Sequence, residues 1–254
     1  MRLRKRLFVA AAAIVAAVCL ARVSFQVPIL MYHRIGDPLE SGLAVSPETF
    51  ERQMEFLKVH HYNVVSLSEL VGRLRDGRPL PPKTVSITFD DGTIDNIEFA
   101  FPVLKKMNFP ATVFMITENI GKPGWLSAED LRLMDGFGVS VGSHTVSHAY
   151  LPDVKDDSEI RRQIVDSKRA LEELLGHPVT LFSYPAGGFT ETARRLVQEA
   201  GYEGAVTTNH GRRKDDVYAL RRVKIKESGG SLFNFWLKTS GLYHLGKKRI
   251  QVGE

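Results

Sequence analysis

The sequence predicts an α/β fold, either a barrel of alternating strands and helices or a doubly wound sheet. From Val27 onward, about eight short apolar runs alternate with helix-like stretches or long loops. The runs are rich in Val, Ile, Thr and Phe without clean apolar–polar alternation, which is typical of strands buried on both faces. The predicted strands cover residues 28–32, 62–65, 84–89, 112–115, 139–143, 180–184, 204–207 and 219–225.

Helix signals lie between these runs. Residues 157–175 carry apolar side chains at helical intervals and charged side chains on the other face, which predicts one long amphipathic helix. Three serines are followed by proline or by an acidic residue at the spacing of a helix N-cap: Ser46, Ser66 and Ser127. Because no long linker or internal repeat interrupts the pattern, we expect one domain over residues 26–245 and a polar tail over residues 246–254.

Residues 1–25 are predicted to be a signal peptide or a membrane anchor. A basic start precedes an apolar run over residues 7–21, which is the pattern of an export signal. The run is shorter than the roughly 20 residues of a transmembrane helix, and Arg22 follows it directly, so cleavage and retention both remain open. We expect an exported protein of the cell envelope, held at the cytoplasmic membrane by residues 7–21 if the segment is uncleaved.

The net charge of +5 does not indicate a nucleic-acid partner. Five of the 34 Lys and Arg residues lie within residues 1–22, and the 29 that remain balance the 29 Asp and Glu residues. The single cysteine, Cys19, lies in the apolar run. The predicted domain is therefore formally neutral and has no disulfide or thiol chemistry.

Two acidic residues and two histidines follow predicted strands. Adjacent carboxylates that leave a strand, here Asp90 and Asp91, point in different directions, so one can bind a cation while the other handles a proton. A plain turn is the alternative, because Asp-Asp-Gly is common in turns. His144 and His148 are spaced to share one face of a helical turn and to reach one metal ion. With one aspartate they would form a two-histidine, one-carboxylate site that leaves positions for water and substrate.

Two further signals also end predicted strands. Proline and glycine after the run 180–184 allow the backbone to approach a ligand closely, and a free N–H there could hold an oxyanion, although a plain turn is at least as common. His33 ends the first run, and a lone histidine is more often structural than catalytic. All of these residues lie at the carboxyl ends of runs, where the active sites of α/β barrels assemble.

In this order, TFDDG (88–92), HTVSH (144–148) and YPAGG (184–188) resemble the polysaccharide deacetylase family, also called the NodB-homology or carbohydrate esterase 4 group. MYHRI (31–35) makes the chain more similar to the branch that deacetylates poly-N-acetylglucosamine-type polymers. The resemblance implies a distorted (β/α) barrel of about seven to eight strands. It also implies hydrolysis of N-acetyl groups on an N-acetylglucosamine-containing polysaccharide with one divalent metal ion, zinc or alternatively cobalt or nickel.

Position by position, the resemblance implies that Asp90 is the general base and that Asp91, His144 and His148 bind the metal. Asp90 would take a proton from the attacking water, and the leaving amine then needs a general acid. His33 is the candidate for that acid, and His244 is the reserve. The segment implied to bind substrate comprises Tyr184, Pro185, Ala186 and Gly187. Within it, the Ala186 N–H would donate to the oxyanion.

In the family, an arginine commonly begins the third motif. This chain has Ser183 at that position instead. We hypothesise that Arg222, on another strand, supplies the missing cation and orients Asp90. The fourth family motif, which has an acid and a tryptophan, is unmatched. A catalytically impaired polysaccharide-binding module is therefore the alternative function. A glycosidase is disfavoured, since its paired acids come from separate strand ends about 5 Å or more apart.

Four aromatic residues could stack on sugars or pack the core. Trp125 follows a Gly- and Pro-containing loop on the same side as the metal motif, so we expect it near the cleft. Aromatic residues at helical spacing are more often core residues, so we assign the other three to the core: Phe233, Phe235 and Trp236.

Overall fold

The computed structural model of the chain describes residues 27–36, 42–208, 216–227, 231–241, 243–244 and 247. The predicted signal or anchor over residues 1–25 lies outside the described residues, as does nearly all of the predicted tail over residues 246–254. Within the described ranges, no helix combines the length and the apolarity that crossing a membrane would require.

The core of the fold is a parallel sheet whose strands are buried on both faces. The strands, in chain order, are β1 (Ile29–Tyr32), β2 (Arg34–Ile35), β3 (Ala44–Val45), β4 (Asn63–Val64), β5 (Thr84–Phe89), β6 (Ala111–Met115), β7 (Val139–Ser143), β8 (Leu181–Ser183), β9 (Gly204–Thr207), β10 (Leu220–Arg221) and β11 (Val223–Lys224). Eight of them follow the order β10-β9-β8-β7-β6-β5-β1-β11, while β4 pairs with β5 and β2 pairs with β3.

One short stretch brings the two ends of this sheet together. Leu220 in β10 pairs with Val206 in β9, and Val223 in β11 pairs with Leu30 in β1. Between them, the Arg222 N–H donates to the Thr207 carbonyl over 3.1 Å. The fold is therefore a distorted, nearly closed (β/α) barrel, which confirms the predicted fold class and removes most of the exposed sheet edge.

Helices surround the barrel and begin where the sequence marks them. Ser46, Ser66 and Ser127 each accept a hydrogen bond from the backbone N–H three residues later, and Ser127 forms a full capping box. The helices are α1 (Pro47–Val59), α2 (Leu67–Arg75), α3 (Phe101–Met107), α4 (Ala128–Gly136), α5 (Asp157–Leu175), α6 (Glu191–Glu199) and α7 (Leu232–Thr239). A short π-helical turn over Asn96–Ala100 leads into α3.

The hydrophobic core joins the strands to these helices. Tyr32, Phe50 and Phe89 are fully buried, and their ring centroids lie 5.2 to 5.8 Å apart. Each buried aromatic side chain removes a large apolar area from water and fixes α1 against β1 and β5. These contacts hold the carboxyl ends of the two strands side by side.

One prediction about the core is wrong. Phe235 is buried, but Phe233 is 68% exposed and Trp236 is 47% exposed. The cause is that α7 is apolar on both its faces, and only the face that carries Phe235 packs on the domain.

Candidate active site

A cavity of about 570 Å³ opens at the carboxyl ends of the strands. This is the face where barrels of this kind gather functional groups, because the loops after several strands converge there. The cavity is lined by Met31, His33, Leu43, Asp90, Asp91, His144, His148, Ala186, Gly187, Thr208, Arg222, Lys224, Tyr243, His244 and Lys247.

A buried ion pair forms one side of the centre. The Asp90 carboxylate accepts two parallel hydrogen bonds of 2.6 Å from the guanidinium of Arg222, whose side chain has no exposed surface. Arg222 also donates to the Ser183 hydroxyl over 2.9 Å and to the Thr88 hydroxyl over 3.2 Å. Burial would raise the pKa of Asp90, but the charge and hydrogen bonds of Arg222, together with the charge of His144, hold that pKa well below its usual range.

Three side chains from two loops converge beside this pair. Asp91 Oδ1 lies 3.6 Å from His144 Nε2 and 3.7 Å from His148 Nε2, and the three possible ligand atoms all lie within 4.8 Å of one another. Burial raises the pKa of Asp91 and lowers the pKa of both histidines. Neutral imidazoles and a carboxylate are the forms that bind a divalent metal ion.

The arrangement of His144 fits a metal ligand. Its Nδ1 lies 2.7 Å from the Ser183 carbonyl oxygen, so this nitrogen carries the proton and donates, which leaves the Nε2 lone pair directed towards Asp91. Metal-binding histidines ordinarily use such a second hydrogen bond to fix the tautomer and the ring orientation. Separations of 3.6 and 3.7 Å between donor atoms also allow ligand bonds of about 2.0–2.2 Å to a shared ion. Asp91, His144 and His148 therefore fit a divalent metal.

The two histidines do not share a helical turn, so that part of the sequence interpretation is wrong. Residues 144–150 form a loop in which Thr145 and His148 have φ values of 68° and 61°. The His148 N–H donates to the Thr145 hydroxyl over 3.0 Å, and Gln163 accepts from the two intervening N–H groups. These bonds hold the loop so that the rings of the two histidines meet with centroids 4.9 Å apart.

Unfavourable backbone conformations are concentrated around the centre. Seven described non-glycine residues have positive φ, and four of them flank the cavity: Asp91, Thr145, His148 and Ala186. Such conformations cost of order 1–3 kcal/mol each and persist only where the surroundings impose them. Gly92 has a φ of +82°, which favours glycine, and a Cβ there would displace the Met115 thioether. The site is built at a cost to the stability of the fold.

His33 and His244 both line the cavity, and their surroundings differ. His33 Nε2 lies 3.9 Å from Asp90 Oδ2, and Asn96 Nδ2 donates to the His33 carbonyl over 2.9 Å. Burial lowers the pKa of His33 to about 4, which the charge of Asp90 only partly offsets. His33 is therefore neutral at rest near pH 7. His244 contacts the ring of Tyr243, with centroids 5.3 Å apart.

The four residues of the third motif separate into core and cavity positions. Tyr184 is fully buried and stacks on Phe189 with a centroid distance of 4.5 Å, and Pro185 is also buried, so neither lines the cavity. Ala186 and Gly187 do line it. The Ala186 N–H makes no hydrogen bond within the part of the chain that the structure describes. We therefore correct the predicted substrate-binding segment to these two residues, because the Tyr184 ring points into the core.

Sequence reasoning missed several cavity residues, above all Lys224 and Lys247. A signal for Lys224 was available, because residues two apart on a strand face the same side. Since Arg222 faces the centre, Lys224 should as well. Trp125, which we expected near the cleft, pairs through its backbone with Thr93 and is not among the residues that line the cavity.

Known proteins are similar to this chain in sequence and in fold. The family model for polysaccharide deacetylase matches residues 77–205. YxkH of Bacillus subtilis, whose name describes a polysaccharide deacetylase, is 34% identical over 217 residues, which cover 84% of this chain and 77% of YxkH. The poly-β-1,6-N-acetyl-D-glucosamine N-deacetylase of Staphylococcus aureus is 27% identical over 213 residues, 76% of this chain and 72% of that enzyme. The Streptococcus pyogenes deacetylase PplD, solved with acetate, superposes with a TM-score of 0.78 and 30% identity, covering 84% of this chain and 98% of PplD.

Proposed function

Since this chain belongs to the polysaccharide deacetylase family, we propose that it removes N-acetyl groups from an N-acetylglucosamine-containing polysaccharide with the help of one divalent metal ion, zinc or alternatively cobalt or nickel. The observation that carries the proposal is the cluster of Asp91, His144 and His148 beside the Asp90–Arg222 pair in one cavity. The likeness to the Staphylococcus aureus enzyme supports the sugar, since that relative is named for N-acetylglucosamine.

Asp91, His144 and His148 would hold the metal ion. When bound, such an ion supplies Lewis-acid activation of water and of the acetamide carbonyl. His144 is held in the required tautomer by the Ser183 carbonyl, so little reorganisation is needed for binding.

Asp90 would act as the general base. Its two hydrogen bonds to Arg222 keep the carboxylate ionised and fix its orientation, while its Oδ2 lies 4.0 Å from His144 Nε2 and thus beside the proposed metal position. The same pairing makes Asp90 a weak base, so it suits a water that is already acidified. The Ala186 N–H, free of other hydrogen bonds to described residues, would donate to the tetrahedral oxyanion.

His33 would deliver a proton to the leaving amine. Because it is neutral at rest, it must first receive that proton, and Asp90, whose Oδ2 lies 3.9 Å from His33 Nε2, would relay it. Once protonated, Asp90 is a strong acid and gives the proton up readily, since its pKa is held low by Arg222. His244 is the alternative acid at the cavity wall.

The test is acetate release from N-acetylglucosamine oligomers by the full chain, stripped with a chelator and reloaded with zinc, cobalt or nickel. We expect release that the metal restores, and none from Asp90→Asn although it still binds the metal. Bound metal without acetate release from any oligomer would favour the polysaccharide-binding module instead. The missing third-motif arginine was the reason to consider a binding module. Arg222 weakens that reason, because it donates to the Asp90 carboxylate.

We further propose that residues 1–25 export the chain and leave it in the cell envelope. The basic start and the apolar run over residues 7–21 support this. Fractionation of cells that express the full chain tests it, and recovery of the protein in the cytoplasm would contradict it.

A further inference from the structure

The helix α7 presents an apolar face to solvent. On one side it packs on the domain through Phe235, whose ring lies 5.7 Å from Phe56, and through Thr239, whose hydroxyl lies 3.0 Å from that of Tyr62. Four large side chains on the other side are 41 to 68% exposed and cover an arc of roughly 140°. We call these residues the α7 outer face: Leu232, Phe233, Trp236 and Leu237.

A short helix that is apolar on both sides is ordinarily covered on both. Contiguous exposed apolar surface on a soluble domain marks a place of interaction with a partner or a membrane. The α7 outer face therefore indicates a partner for this side of the domain.

The composition of the face favours a lipid surface. Phe233 and Trp236 pack with ring centroids 5.7 Å apart, and leucines flank them on both sides. Tryptophan beside aliphatic residues is typical of protein surfaces at the boundary between lipid headgroups and acyl chains. Two exposed polar residues, Ser231 and Asn234, adjoin the face, but the four large apolar side chains outnumber them, which favours lipid over sugar.

Lysines lie beside α7, and the Lys238 ammonium group donates to the Lys224 carbonyl over 2.8 Å. Lys226 and Lys247 are exposed, and burial together with the charges of these two lysines lowers the pKa of Lys238 to about 8. A group of lysines next to an apolar helical face attracts anionic headgroups.

The position of α7 points the same way. Thr239 at its end contacts Tyr62, and Lys83 lies 5.9 Å over the ring of Tyr62, beside the start of β5. The Ser86 N–H near that start donates to the Pro28 carbonyl, just after the point where the apolar N-terminal segment joins the fold at Val27. Tyr62 and Lys83 therefore link the end of α7 to the amino-terminal ends of β5 and β1, where the chain enters the fold at Val27.

We propose that the α7 outer face docks on an anionic membrane surface, with Phe233 and Trp236 at the headgroup level. Docking would hold the domain in one orientation on the membrane and adds to whatever attachment the N-terminal segment provides. This inference does not depend on the deacetylase activity.

The test is quenching of tryptophan fluorescence by brominated lipid. The chain has two tryptophans, so Trp125→Phe in the full chain leaves Trp236 as the only reporter. We add this protein to vesicles of equal parts brominated phosphatidylcholine and phosphatidylglycerol. The matched control combines Trp125→Phe and Trp236→Phe with Phe99→Trp, which moves the reporter to a position that is 43% exposed on the π-helical turn. We expect quenching of Trp236 to be severalfold stronger than quenching of the control.

A second variant separates docking from anchoring by the N-terminal segment. Phe233→Ser with Leu237→Ser, in the Trp125→Phe chain, should lose most of the quenching of Trp236 while the protein stays with the vesicles and keeps its fold, because both side chains point away from the domain. The proposal is overturned if Trp236 and the reporter of the Phe99→Trp control are quenched equally, or if neither is. Two further outcomes, both measured without vesicles as protection of Trp236 from a water-soluble quencher, would also overturn it. Protection that grows with protein concentration would indicate a second copy, and protection by added soluble oligosaccharide would indicate a glycan.

Discussion

The two halves of the candidate centre are built differently. Asp90 and Arg222 are both buried, and each charge is balanced by the other through two hydrogen bonds. In the other half, His148 has a 43% exposed side chain, Asp91 is 21% exposed, and burial lowers the pKa of both imidazoles, which favours their neutral forms. The first half is an ion pair within the protein, whereas Asp91 in the second half forms no ion pair with a Lys or Arg among the described residues and feels Arg222 and Arg34 only at longer range. The protein thus preorganises the proposed base and leaves the proposed metal site to be completed by its ligand.

The largest effect is expected from Arg222→Ala. A carboxylate that is only 4% exposed would lose its cation, which costs about 3–5 kcal/mol of unfolding free energy. The pKa of Asp90 should rise, because burial would no longer be offset, and the acid limb of the pH–rate profile should move to higher pH. Urea unfolding and kcat/KM as a function of pH measure the two effects.

The loss of unfolding free energy in Arg222→Ala should depend on pH. In the wild type, the folded pKa of Asp90 lies below its ordinary value of 3.8, so the stabilisation is present above that value and is lost as the pH falls through the folded pKa. In Arg222→Ala the folded pKa is raised, so the deficit is largest at neutral pH and shrinks as the carboxylate is protonated. Arg222→Lys keeps the charge without the paired bonds and should recover part of the loss. Unchanged stability and an unchanged pH–rate profile in Arg222→Ala would refute the role of Arg222.

The opposite response is expected in the other half from Asp91→Asn. Without metal, this variant removes a buried anion that forms no ion pair with a described Lys or Arg, so the unfolding free energy should stay the same or rise. With zinc in excess, the wild type should be stabilised by ligand binding and the variant should not. Thermal unfolding with and without zinc, with Asp76→Asn on the surface as a control, measures this. A metal-free Asp91→Asn protein that unfolds far more easily than the wild type would contradict the comparison.

Most of the fold and four residues of the centre could be predicted from the sequence. Apolar runs predict buried strands, and four site residues directly follow such runs: Asp90, Asp91, His144 and His148. Arg222 could be hypothesised only as a replacement for the arginine that the family motif has at Ser183, because it lies 132 residues from Asp90 and the pairing of β10 with β9 and of β11 with β1 brings the two together. No local pattern contains that information.

The remaining errors have local causes. A spacing of four residues is the same in a helical turn and in the loop over residues 144–148, so the spacing could bring the histidines together without predicting the positive φ of His148. Apolar residues at helical intervals likewise predict α7 without telling a buried face from an exposed one. The Tyr184 ring was misplaced because the sharp turn at Ala186 decides which side chains of the motif reach the cavity.

A smaller effect on activity is expected from His33→Gln. This variant tests whether His33 receives a proton from Asp90 and passes it to the leaving amine. Loss of a general acid lowers kcat by roughly 10²- to 10⁴-fold. The loss should shrink for an N-acetyl substrate whose leaving amine has a low pKa, since such a leaving group needs little protonation. His244→Gln should show neither effect. If His244→Gln shows the dependence on leaving group and His33→Gln does not, the two assignments must be exchanged.

The smallest effect is expected from Ser183→Ala, at the junction of the two halves. The Ser183 hydroxyl accepts from Arg222 over 2.9 Å and donates to Asp90 over 3.4 Å, while its carbonyl accepts from His144. The substitution removes only the hydroxyl, so the unfolding free energy should fall by about 1 kcal/mol and the rate by a few-fold, with metal affinity unchanged because the carbonyl remains. Urea unfolding, kcat and zinc titration measure the three quantities. A large loss of metal affinity would show that the two halves are coupled through this side chain, and that the base and the metal site cannot be treated as separately built.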